Sequence, residues 1–123
     1  MPEESVEINV GKLIPSAVSE MPVGLTLLDL EGRILYFNNY ATKILDRKPE
    51  YLGRDVRGFH QNPDSNRKID RILEGYKAGD KAEHHWQLPR EGRMFGIRVA
   101  PLTISGRTVG LIHTVQVQGE VKD

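Results

Sequence analysis

Apolar residues recur along this chain with two different periods, and the switch between them marks its elements. In PDSNRKIDRILEGYKAG, Ile69, Ile72, Leu73 and Tyr76 fall at i, i+3, i+4 and i+7, which gathers them on one helical face. Asn62 suits the N-cap, Pro63 the first helical position and Asp64 the positive end of the helix dipole, while Gly79 suits a left-handed stop. After Gly79 the period becomes two. KAEHHWQLP puts Ala82, His84, Trp86 and Leu88 on one face and Lys81, Glu83, His85 and Gln87 on the other, with a turn over Pro89 to Gly92. Arg93 to Ile104 predicts a longer strand with Phe95, Ile97 and Val99 on one side and Pro101 at an edge or bulge near its end. Past a Ser105-Gly106 turn, Arg107 to Gln118 predicts a last strand that aligns Val109, Leu111, His113, Val115 and Val117.

The first half begins with a polar lead-in over residues 1–10. Leu13, Ile14, Ala17, Val18 and Met21 then predict a short amphipathic helix over Gly11 to Glu20, with Pro15 tolerated in its first turn. Its apolar stripe either covers one edge of the core or pairs with a second subunit. VGLTLLDLEGRILYFN predicts two antiparallel strands about a Glu31-Gly32 turn, and Asn38 or Asn39 caps a short helix carrying Tyr40, Ile44 and Leu45. A further short turn or helix is expected over Pro49 to Leu52. Two strands, a run of helices and three more strands predict an α+β fold: a five-stranded antiparallel sheet with helices over one face and a pocket between them.

Composition narrows the partners. The 123 residues suit one domain. The 17 basic and 17 acidic side chains cancel, so no global field draws the chain to nucleic acid or an anionic membrane. The absence of cysteine excludes disulfides, thiolate nucleophiles and Cys-ligated metals. No apolar run approaches the roughly 18–20 residues that span a bilayer, and the acidic start MPEESVEINV is unlike a signal peptide, so a cytoplasmic location is expected. No nucleophile and base can be paired, and no phosphate-cradling glycine loop is present, so an enzyme is not expected.

The order of elements, with VGLTLLDLEGRILYFNNYATKIL and GRTVGLIHTVQV, resembles the PAS sensory domain family over roughly residues 20–118. Asp29, Gly32 and Ile34 meet its D-x-x-G-x-I pattern, and Asn38 or Asn39 with Ala41 meets the following N-x-A. Within that family, RDVRGFHQNPDSNRKIDRIL is similar to the haem-binding PAS domains of carbon monoxide-responsive bacterial regulators. This resemblance implies a b-type haem ligated by His60. It also implies that His84 stands where those regulators use a methionine as the opposite ligand, a departure that favours ferric iron. His85 and His113 stay open as alternatives for the second position.

The residues themselves supply what a haem needs: an apolar slot, a neutral imidazole and cations for the propionates. Ile69, Ile72, Leu73 and Tyr76 suit one wall, Leu27, Phe95, Ile97, Leu111 and Val115 the other, and Arg57, Arg67, Lys68 or Arg71 the propionates. His60 is equally a helix-entry residue bonded to backbone, and His84 a satisfied core histidine. Noncovalent flavin, with Trp86 for stacking, remains open; zinc on two histidines is a weak signal. The expectation is a sensory domain over residues 21–118, preceded by the 1–20 helix segment and followed by a 119–123 tail. It responds to a diatomic gas, carbon monoxide foremost, or to redox state by exchange of an axial ligand, and works as a homodimer with an output domain or partner. The alternative is a dimerisation module with an empty or small-metabolite pocket.

Overall fold

A computed structural model of the protein describes residues 9–59 and 63–120. Helix α1 spans Val10–Glu20, capped by the Asn9 side chain, which accepts from the Gly11 N–H at 2.9 Å. Because that cap starts the helix at Val10, Pro15 falls in the second turn rather than the first. Strand β1 (Gly24–Asp29) pairs antiparallel with β2 (Ile34–Phe37). Their connection is wider than the Glu31-Gly32 pair predicts. The Gly32 N–H bonds the Asp29 carbonyl and the Asp29 N–H bonds the Arg33 carbonyl, both at 3.0 Å, with Gly32 at φ 87°. A three-residue loop ending on a left-handed glycine is a common hairpin closure.

Helix α2 (Asn39–Ile44) is capped by Asn38, one of the two expected caps. Buried Asn38 also organises its surroundings. Its Oδ1 accepts from the Leu25 and Ala41 N–H groups, and its Nδ2 donates to the carbonyls of Val18 and Val23 at 3.0 and 2.8 Å. One side chain thus ties α1, β1 and α2 together with all its polar atoms satisfied. Two 3₁₀ turns, Pro49–Tyr51 and Val56–Phe59, precede helix α3 (Pro63–Lys77). The expected cap Asn62 and the expected ligand His60 lie outside the described residues.

Strands β3 (His84–Arg90), β4 (Arg93–Ile104) and β5 (Arg107–Glu120) complete one five-stranded antiparallel sheet in the order β2-β1-β5-β4-β3. The turns at Glu91-Gly92 and Ser105-Gly106 both have two successive positive φ values, the geometry of tight hairpins that follow the sheet's twist. Pro89 lies inside β3 rather than in the turn. It is tolerated because, among the described strands, β3 lies at the edge and pairs with β4 alone. Pro101 sits beyond the end of β3, one residue before a bulge at Leu102/Thr103.

The core lies between the helices and one face of the sheet. The four α3 residues expected on one face, Ile69, Ile72, Leu73 and Tyr76, are all buried and join Leu28, Val99, Leu111, Val115, Phe95 and Ile97 in one cluster. Gly110 permits a close approach of β5 to β1, since a Cβ there would stand 2.0 Å from the Leu28 carbonyl oxygen.

Candidate functional site

Strand alternation decides which histidine faces the helices. His84 pairs with Val99, which pairs with His113, which pairs with Thr26, so these four share the inner face of the sheet. His85, one residue on, is exposed on the other side. Tyr76 holds the start of β3 in place: its hydroxyl donates to the Ala82 carbonyl at 2.7 Å, and its ring meets His84 with centroids 6.3 Å apart and planes tilted by 47°. Burial, then the charges of Asp80 and Glu83, push the Tyr76 phenol up to about 12. The His84 Nε2 atom is buried and has no hydrogen-bond partner among the described residues.

An open groove of about 450 Å³ runs beside this imidazole between α3 and β3, lined by Lys68, Arg71, Ile72, Glu83, His84, His85 and Trp86. The Lys68 ammonium stands 4.6 Å from the centroid of the Trp86 ring, a cation–π contact that partly covers the apolar side. A second depression, about 400 Å³, lies on the outer face of the sheet, where Gln87 Nε2 donates to Gln118 Oε1 at 3.0 Å.

Ile69, Ile72, Leu73, Tyr76, Phe95, Ile97 and Leu111, the residues that sequence analysis assigns to a haem slot, come together on the inner face. They touch one another there, and with Val115 they fill the space between α3 and the sheet, so the open volume is displaced to the β3 edge. Leu27 belongs to the opposite face, because it alternates with buried Thr26 and Leu28. Of the four cations, Arg57 is engaged: it donates to Asp55, to Asp70 at 2.6 Å and to the Glu31 carbonyl at 2.7 Å. These carboxylate bonds raise its pKa further. Arg67 pairs with Asp64, and Lys68 and Arg71 line the groove. His113 is half-buried beside Thr26. Among the described residues no three His, Asp or Glu side chains are grouped to hold a metal ion.

Asp29 has a structural role. Burial alone would raise its carboxyl, but hydrogen bonds from the Arg33 N–H, the Arg33 guanidinium and the Glu31 N–H outweigh it and hold the pKa below the usual value. Sequence reasoning passed over Arg47, which is buried with its Nε donating to Thr26 Oγ1 at 3.3 Å. Nothing local distinguishes it from the other charges of the DRKPE turn.

A five-stranded antiparallel sheet with helices on one face and an open groove at its β3 edge make an α+β domain. The sequence model of the PAS domain family matches residues 17–116, and the chain belongs to that family. PAS domains are sensory modules of signalling proteins; they commonly dimerise and are linked to output domains. Solved structures share the fold. The C-terminal domain of a protein from Streptococcus mutans superposes with a TM-score of 0.72 at 20% identity, over 95% of this chain and 90% of that one. The PAS domain of histidine kinase ThkA gives 0.60 at 23% identity, over 78% and 99%. The PAS domain of a protein from Colwellia psychrerythraea gives 0.66 at 14% identity, over 90% and 98%. No curated protein matches the sequence. Among the described residues no helix is long and apolar enough to cross a membrane.

Proposed function

We propose that this PAS domain receives its signal at the α3–β3 groove through His84, and that the group it receives is a b-type haem. The observation that carries the reading is the buried Nε2 of His84, a polar atom with no partner among the described residues at the edge of an open groove. Burying such an atom costs free energy that a ligand bond removes. A neutral imidazole nitrogen is an iron ligand, Ile72 and Trp86 offer apolar contact, and Lys68 and Arg71 suit propionates. If bound, haem would supply redox-active iron, on which carbon monoxide or another diatomic gas could replace a protein ligand.

The chain's own part is to hold that imidazole and pass on its displacement. Tyr76 fixes the approach to β3, and β3 rests on β4 alone, so a pull on His84 is transmitted through Val99 to His113 and Thr26. The core side chains between α3 and the sheet must part for a macrocycle to pass deeper than the open groove. Titration of haemin, followed by its absorption, tests the assignment: saturation at one equivalent per chain supports it, and no saturation rejects it.

A second reading, a dimerisation module, is favoured by α1. Val10, Leu13, Ile14 and Met21 leave an apolar stripe exposed, and no residue of the helix is buried. Light scattering of the wild type and of a Leu13→Glu, Ile14→Glu double variant tests it. A dimer that the variant converts to monomer is expected; the same mass for both chains excludes α1 as the contact.

A further inference from the structure

Arg47 is a cation that the fold buries without a counter-charge among the described residues. Only 8% of the residue is exposed. Its Nε reaches the hydroxyl of Thr26, which is itself wholly buried, and among the described residues no carboxylate meets the guanidinium. Asp46, just before it, adopts the left-handed conformation at φ 54°, which Asp tolerates better than most residues. There the chain turns from the end of α2 back toward β1, which carries Arg47 inward. Burial lowers its pKa to about 10, so it remains a cation at neutral pH. No Arg47 nitrogen is both buried and unpartnered, so the outer guanidinium nitrogens stay open to solvent, where an anion can meet a charge that no described side chain balances.

We propose that Arg47 and Thr26 form the anion-binding end of a second ligand site, between the end of α2 and β1, that takes the carboxylate of a small organic acid. The guanidinium fork matches a carboxylate in shape, and the single charge matches a monoanion. A phosphate, at close to two negative charges, would leave excess charge in the core. The site is separate from the α3–β3 groove: Thr26 and His84 are three strand spacings apart across the sheet, roughly 14 Å.

The test titrates acetate and benzoate at constant ionic strength against chloride, with inorganic phosphate as a third arm. It reads the Arg47 Nε–H resonance and the melting temperature. A saturable shift of that resonance by a carboxylate, with a rise in Tm, is expected. Arg47→Met should bind at least about tenfold more weakly and Arg47→Lys should fall between, each with an unchanged far-UV circular dichroism spectrum. If Arg47→Met does not fold, the wild-type resonance decides. Saturation by phosphate but not by carboxylates overturns the assigned ligand class. No shift with any anion, or an equal Tm rise in Arg47→Met, overturns the site.

Discussion

The rings of Tyr76 and His84 meet at 6.3 Å, and the Tyr76 hydroxyl donates to the Ala82 carbonyl at 2.7 Å. The Tyr76 bond holds the approach to the strand that presents His84, whose Nε2 has no partner among the described residues. Tyr76→Phe loses one partly buried hydrogen bond, and a cost of about 1 kcal/mol in urea unfolding at pH 7 is expected. The phenol's pKa is raised from 10.0 to about 12, so folding favours its protonated form. Its contribution is complete below pH 10 and fades as pH rises toward 12. The wild type's advantage over Tyr76→Phe should shrink across that interval; a constant difference would contradict this account.

Asp29 gives the opposite sign. Its pKa is depressed by the bonds it accepts in the β1–β2 turn, so its contribution is present above the unfolded carboxyl pKa and is lost as pH falls through the folded one. Asp29→Asn should lower the urea midpoint at pH 6 and leave it nearly unchanged at pH 2. Equal losses at both values would show that shape, rather than charge, matters there.

Arg57 joins the turn and α3 through Asp70 and the Glu31 carbonyl, while Lys77 reaches Glu31 from the same helix. The carboxylates are half-exposed, which limits each pair. Arg57→Met should cost about 1–2 kcal/mol, chiefly through the lost carbonyl bond, with only about 0.5 kcal/mol of coupling to Asp70→Asn in a double-mutant cycle. A coupling as large as the whole loss would assign the effect to the ion pair instead.

Gly110→Ala would place a Cβ 2.0 Å from the Leu28 carbonyl oxygen, where backbone must move. Loss of about 3 kcal/mol or more is expected from chemical denaturation, since β1 and β5 would be forced apart. A loss below about 1 kcal/mol would mean that this strand pair yields easily.

The α3 face and the inward direction of His84 were legible because both follow from periodicity, which a single sequence carries in full. The five-stranded antiparallel sheet, though not its strand order, followed from the arrangement of strands and helices. The β1–β2 turn was wider than expected because a left-handed Gly32 closes a three-residue loop as readily as a two-residue one. The predicted pocket lies at the β3 edge because Leu73 and Tyr76 fill the space beneath α3, a matter of side-chain volume that alternation does not encode. Arg47 was illegible for a different reason. Its burial depends on the backbone of Asp46, and a charged turn ordinarily points to water.

The most direct test of the central claim compares the wild type and His84→Ala, each supplied with haem, reduced and then exposed to carbon monoxide. A six-coordinate wild-type spectrum that carbon monoxide shifts, and a His84→Ala spectrum already altered before the gas is added, is the predicted result. Identical spectra from the two proteins would remove His84 from the site.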